Sequence, residues 1–473
     1  MGVQMLGRRV LGVLSLLALL GHAEAEAGTV DGREWPPDPS KYEPVGTEVA
    51  PGLKIGDTLD SKNAQTAKDL LPPEILKHFQ TDEYVNTVVS WPLGLIHHDT
   101  SYEAATKENA DKYALDPTTG TIVEKSTGKP PEYVYGTPFP TIDASDPQGG
   151  LKALWNQFHG YWNTGSYNFN ALIIWVSPTG VERQSLQDVY FQYYENQAPK
   201  YRVPNPANFS WQSLAAAKTP ADLQGTVALS YRYRDPAQRD QLWTYVPALR
   251  RVRAVSPANR SDGFLGSDLS QDDGNFFDAK PEDFKWKTIG IKEAFRFVDP
   301  DSIKGDGGEL KWVESGGWRQ EWTRNIPAAG YQKEGWKGVG WAPVSAGLAK
   351  RKFWVVEGVP DDRYYLFGKV ELWIDTESWI GSFNRKFSWK GEVLNTYQVD
   401  GYLNHPAKVP DSDGGGYEWF WSSQHAWQCA EALKANRATL AGLRDDLELP
   451  FDRRVRHKTD QLFDVGTLSR FGK

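Results

Sequence analysis

From residue 226 to residue 254 the chain contains short runs in which apolar and polar positions alternate. Val227, Leu229, Tyr231 and Tyr233 share one side of residues 226–234, TVALSYRYR. Leu242, Thr244 and Val246 alternate with Trp243 and Tyr245, and after Pro247 the basic return run sets Arg251 and Arg253 against Val252 and Ala254. A period of two is that of a half-buried strand. The continuous apolar run 171–176 and residues 189–195, 285–291, 294–298, 353–357, 369–375, 382–389 and 393–399 add further strands. Gly, Pro, Asn and Asp punctuate these runs, and long helical patterns do not alternate with them. That order predicts an antiparallel meander and argues against a parallel doubly wound sheet.

Helical periodicity is confined to a few places. Leu151, Leu154, Trp155, Phe158 and Trp162 form one apolar stripe over residues 149–162. Residues 64–79 read as helix interrupted at Pro72-Pro73, and the Pro-rich residues 33–54 as an extended arm. Residues 301–349, rich in Gly, Trp and Lys, have no clean period and read as an irregular insertion or flap. Beyond Gly414-Gly415-Gly416, residues 417–447 read as a helical tail, followed by a basic coil. The chain thus divides into residues 1–25, 26–134, a β domain over 135–410, and a helical tail over 411–473.

The first 25 residues have the form of a signal peptide. Arg8 and Arg9 precede the apolar run 10–20, which is too short to span a bilayer, and Ala23-Glu24-Ala25 offers a cleavage site. The general secretory route is preferred to the twin-arginine route, whose Ser and Phe are missing. Cys429 is the only cysteine, so no intramolecular disulfide forms, and a helix is its expected setting. The expected location is periplasmic, in soluble form.

Composition changes the picture in two ways. A net charge of −8 argues against nucleic acid as a partner. The 20 Trp, 21 Tyr and 20 Phe supply many flat apolar surfaces, for a rigid sheet core or for a ligand-binding surface.

Residues 242–268, LWTYVPALRRVRAVSPANRSDGFLGSD, resemble a segment of bacterial periplasmic proteins of the LolA/LolB-like superfamily. Residues 135–156 (YGTPFPTIDASDPQGGLKALWN), 284–297, 351–358 and 370–399 are similar to segments of the family known as domain of unknown function 1329. The resemblance implies an α+β fold, mainly antiparallel β: a large curved sheet or incomplete barrel, with helices packed on or into its concave face. It also implies a carrier or chaperone that binds a lipid, acyl chain or similar apolar ligand and hands it between envelope components. An envelope exporter or outer-membrane protein would be its partner. On that reading Trp243, Tyr245, Trp354, Val356, Trp373, Phe264 and Tyr231 are candidate cavity liners.

Candidate chemistry is sparse. The sequence contains no nucleophile elbow, P-loop or dinucleotide fingerprint, so no catalytic residue and no cofactor is assigned. His97-His98 with Asp99 is a poor metal set, because neighbouring strand residues point to opposite faces. Asp268, Asp272, Asp273 and Asp278 lack the spacing of a Ca²⁺ loop and read as a turn pairing with Arg251, Arg253 and Arg260. Arg251, Arg253, Arg260, Asp262 and Asp268 are accordingly expected in one polar cluster. Its use is structural, or it grips an anionic head group, since a guanidinium binds carboxylate or phosphate through two parallel bonds. The alternative class is a carbohydrate-binding or carbohydrate-active protein with Trp platforms, for which Glu371, Asp375 and Glu377 are the nearby acids.

N-terminal sequencing of protein extracted from the envelope should find cleavage near Ala25. A retained Met1 would contradict the reading of residues 1–25.

Overall fold

The computed structural model describes residues 28–30, 33–35 and 42–471, with gaps at 95, 99, 162–164, 200–201, 303–308, 314–316, 322–327, 404–406, 411–416, 421–422, 443–448 and 453–458. The signal-peptide segment and Asp99 lie outside the described residues.

Its frame is a large, mostly antiparallel sheet. The strands used below are β1 (Ser166–Ser177), β2 (Gly180–Tyr193), β3 (Phe209–Ala217), β4 (Val227–Tyr233), β5 (Gln241–Val246), β6 (Arg251–Val255) and β7 (Phe284–Val298). They continue as β8 (Gly347–Pro360), β9 (Lys369–Asp375), β10 (Gly381–Phe387), β11 (Val393–Leu403), β12 (Ser423–Ala432) and β13 (Arg437–Ala441). Their spatial order is β6-β5-β4-β3-β2-β1-β13-β12-β11-β10-β9-β8-β7, every neighbouring pair antiparallel. The edges β6 and β7 make no pairing with each other among the described residues. The end of β7 instead meets β11 at Val298↔Gly401. The sheet is therefore curved without closing into a regular barrel.

Register explains how both faces are buried. One transverse row runs Ile174, Leu440, Cys429, Gln398, Phe383, Trp373, Val355. The adjacent row runs Trp175, Thr439, Ala430, Tyr397, Asn384, Leu372, Val356 and points the other way. The first row packs with helix α1 (Pro73–Gln80) and with Ala328, Val339 and Trp341. The second packs with helix α3 (Gly149–Phe158) and with Leu269, Phe276 and Phe277 of the β6–β7 connection. Helix α2 (Thr100–Asn109) lies between them in the chain and was not signalled by periodicity.

The Pro72-Pro73 pair starts α1 rather than interrupting a longer helix. Pro72 is extended, as a residue before proline prefers, and Pro73 takes the first helical position, where its missing N–H costs nothing. The expected strands 285–291 and 294–298 are one strand, β7, with an irregularity between Thr288 and Gly290. Gly290 absorbs it with a φ of 126°.

The C-terminal region differs from the sequence expectation. In place of a helical tail, β12 and β13 fill the sheet between β11 and β1. Trp427, Cys429 and Glu431 alternate with Ala430 across the two faces, so pairing on both edges overrides the helix propensity of this Ala-rich stretch. Cys429 is thus buried in a strand, and burial pushes its thiol up. Residues 301–349 are not a free flap throughout. Ala328, Ala329, Val339, Trp341 and Ala342 are part of the core.

Helix α3 sits on the sheet through Gly149 and Gly150. A Cβ on Gly149 would lie 2.5 Å from the Trp354 ring. Gly149→Leu should destabilise the fold by about 1–3 kcal/mol through overpacking, read as a lower urea midpoint with unchanged slope.

Candidate ligand-binding face

The face that carries α3 continues onto β1–β5, and Trp211 stands at its centre. Register places Tyr193, Trp211 and Arg232 side by side. The Arg232 guanidinium lies 4.8 Å from the Trp211 ring centroid, and that of Arg260, from the β6–β7 connection, lies 5.9 Å from it. Around these cations is a buried set of carboxylates. Arg232 donates to Asp240 through Nη2 at 2.7 Å and to Asp278 through Nη1 at 3.2 Å. Arg260 donates to Asp272 through Nε at 2.7 Å and to Asp278 Oδ2 at 3.3 Å. Tyr365 donates to the second oxygen of Asp272 at 2.8 Å. Lys280 is spent on the carbonyls of Asp235, Pro236 and Gln238. The network ties the β6–β7 connection to the sheet.

Cavities lie on either side of this wall. One, of about 350 Å³, has Ile122, Val134, Trp155, Phe158 and Trp211 as apolar lining. Glu195, Arg234, Lys280 and Glu282 are charged groups around it, with Arg234 paired to Glu195. The other, of about 200 Å³, lies between the sheet residues Ile173, Phe191, Ala215 and Ala228 and the overlying Phe264 and Leu269. Trp211 borders both. A third cavity, of about 580 Å³, lies beyond Arg260 and Asp272 and is lined largely by charged residues such as Arg239, Asp283 and Arg363.

Two arginines face three carboxylates in the wall, and burial sets their balance. Burial pushes Asp278 up to about 6, against the pull of Arg232 and Arg260. Asp240 bears the same cost of burial, yet Arg232 and Arg260 hold it below the usual carboxylate range.

The candidate residues are distributed over this frame as follows. Phe264 borders the second cavity. Trp354 and Val356 lie on the same face of the sheet but are covered by α3, where Gly149 and Gly150 abut them. Trp373 points to the opposite face and packs against Phe353 and Phe383, because it pairs with Val355 rather than Trp354. Tyr231, Trp243 and Tyr245 also face away from the cavities, toward Phe463 and Leu468 of the C-terminal segment. Strand parity accounts for each of these placements.

The polar cluster is not assembled as one group. Asp268 pairs with Arg437 of β13 at 3.0 Å. Arg260 turns inward to Asp272 and Asp278, while Arg251, Arg253 and Asp262 are exposed. The reason is the path of the loop, which carries Arg260 across the cavity face instead of back along β6. The residues that sequence reasoning missed are Arg232 and Asp240. Their signal was an Arg alternating with Tyr231 and Tyr233 in an otherwise aromatic strand.

The acids considered for sugar chemistry are held in ion pairs. Arg351 grips Asp375 at 2.8 and 3.0 Å and Glu377 at 2.8 Å, and Arg385 holds Glu371 at 2.7 Å. Among Trp side chains that are described, Trp389 alone is exposed. His97 pairs with Glu103 and His98 stacks on Tyr161. Among the described residues no group of His, Cys, Asp or Glu is arranged to hold a metal ion, and no helix is long and apolar enough to cross a membrane.

An open antiparallel sheet with cavities between one face and its covering elements defines the class of fold. Within it, the chain belongs to the DUF1329 family of proteins of unknown function, whose profile matches residues 58–468. No curated protein matches. Among solved structures, the chain is similar to a putative outer membrane lipoprotein-sorting protein domain from Vibrio parahaemolyticus, at 14% identity and a TM-score of 0.42, over 69% of this chain and 100% of that one. It is similar to a DUF1329 family protein from Desulfovibrio piger, at 15% identity and a TM-score of 0.42, over 68% of this chain and 100% of that one. A LolA superfamily protein from Nitrosomonas europaea matches at 14% identity and a TM-score of 0.36, over 68% of this chain and 98% of that one.

Asp278 should titrate near pH 6 in the folded protein, against an ordinary value of 3.8, when followed by carboxyl-carbon NMR. Between those values the folded state holds the extra proton, so this group's contribution to stability falls as pH rises through that window. Titration of every buried aspartate below pH 4 would contradict this.

Proposed function

We propose that the protein is an exported periplasmic carrier of an apolar ligand, a lipid or acyl chain, held on the Trp211 face. The observation that carries the reading is the 350 Å³ cavity bordered by Trp155, Phe158 and Trp211. Its volume is at the lower end of the range of about 300–1,000 Å³ for small-molecule pockets. Each CH₂ group moved from water to this lining contributes about 0.8 kcal/mol. Ordering of the chain and loss of free motion offset part of that gain, so binding stays reversible, as a carrier requires. Release follows if an acceptor, an envelope exporter or outer-membrane protein, takes the ligand while the cavity opens. The charged groups around the cavity suit a ligand with an apolar body and a polar end.

Ser210 borders the cavity and is half-buried, so a larger side chain there has room to enter it without disturbing the core. Ser210→Trp should weaken binding of a fluorescent hexadecanoyl probe by about ten-fold, close to the loss of two buried CH₂ groups. The melting temperature should stay within a few degrees of wild type. Wild-type protein that binds no acyl probe after delipidation would overturn the carrier reading.

A further inference from the structure

Beyond the cavity beneath Phe264 the same sheet face continues to its edge. Ala215 and Ala228 of the cavity floor belong to a row in register: Val189 opposite Ala215, Ala215 opposite Ala228, Ala228 opposite Thr244. Thr244 in turn lies opposite Arg253 on the edge strand β6, and Val246 lies opposite Arg251. Residues in register project on one face. Arg253 therefore stands on the same face as Ala215 and Ala228, which line the cavity. Val189, Ala215, Ala228 and Thr244 are only half-buried, so the row forms a shallow trough that leads from the cavity to the edge of the sheet.

Charge distinguishes the two ends of this trough. The covered end lies under Phe264 and Leu269, and the charged groups that border it are paired, Arg260 with Asp278 and Asp273 with Lys386. The open end carries Arg251 and Arg253, both exposed and neither in an ion pair with a described residue. Three acids of the neighbouring strands and loops are paired with other bases, while Asp262, in the loop after β6, is exposed. Asp188 is held by Lys218 at 3.0 Å, Asp222 by Arg183 at 2.8 Å, and Asp268 by Arg437 at 3.0 Å. In a chain of net charge −8, two adjacent unneutralised guanidinium groups at the mouth of an apolar trough make a local site for an anion.

We propose that Arg251 and Arg253 hold an anionic head group at a second seat on the Trp211 face, with the acyl chain lying along Thr244, Ala228 and Ala215 into the cavity beneath Phe264, across Trp211 from the cavity of Trp155 and Phe158. The proposal rests on the carrier reading of this face and names the ligand class of the second seat: an amphiphile with a carboxylate or phosphate head, in preference to a neutral one. Three inter-strand steps separate Ala215 from Arg253, roughly 14 Å at about 4.8 Å per step, a span that an extended acyl chain covers. The planar guanidinium suits both head groups, because it donates two parallel bonds to either. Charged residues also guard sheet edges against aggregation, and that role alone would confer no ligand preference.

The test is calorimetric titration of the delipidated full-length protein with decanoate and with 1-decanol at low salt. Wild type should bind decanoate about ten-fold more tightly than decanol, the effect of two partly solvated charge contacts. The double variant Arg251→Ala/Arg253→Ala should lose that preference and keep its affinity for decanol within about two-fold, because both residues are exposed and the trough is intact. In 1 M NaCl the wild-type preference should also disappear, since screening then acts within about 3 Å. A preference that survives in the double variant overturns the proposal, as does equal binding of both ligands by wild type. Displacement of decanoate by millimolar inorganic phosphate would make the site one for free anions and overturn the amphiphile assignment. If wild type binds neither ligand, the carrier reading falls with it, whereas equal binding of both leaves that reading standing.

Discussion

The buried contact of Arg232 and Arg260 with Asp240, Asp272 and Asp278 is the constraint on which the ligand-binding face depends. It joins a sheet strand to the β6–β7 connection, so it decides where that connection lies. Removing one partner of such a buried pair costs about 3–5 kcal/mol, because the other charge is left without compensation. Trp211 fills the space under both guanidinium groups and becomes a wall. With the wall in place the face is divided into cavities on either side of Trp211. Of the three carboxylates, Asp278 is the one that burial pushes up, to about 6.

The open sheet makes such a face available. A small closed barrel of about eight strands fills its own interior with side chains. Here β6 and β7 remain apart among the described residues, and the connection between them lies across the face instead. Over β7–β11 the face is covered by α3 and by Phe276 and Phe277, which pack against Trp354 and Leu372. Over β2–β5 the cover is thinner, and the floor there is built of Ser213, Ala215, Ala228 and Ser230. Small residues leave room above a strand where larger ones would fill it. The position of the cavities thus follows from side-chain size along particular strands.

Much of the sheet was legible in the sequence because period-two alternation is a local signal. Residues 369–375 and 393–399 fall within β9 and β11, and the stripe through Leu151, Leu154 and Trp155 marks α3. What escaped was set by contacts distant in sequence. Residues 423–432 became strand because β11 and β13 offered edges on both sides, which their Ala-rich composition does not reveal. The face on which Trp243, Tyr245 and Trp373 would lie depended on register, and a shift of one residue inverts it. The Arg260–Asp272 contact was foreshadowed by the acidic turn after Gly266, but Arg232 and Asp240 become its companions only once β4 is paired with β3 and β5.

The central claim is that this face holds an amphiphilic ligand in the cell. Native mass spectrometry of the full chain purified from its own host, without detergent, tests it most directly. Adducts whose masses correspond to acyl-chain compounds are expected, released on collisional activation and less abundant on the Ser210→Trp protein. Wild-type protein that emerges uniformly free of such adducts, while a known lipid carrier treated alongside keeps its own, would contradict it.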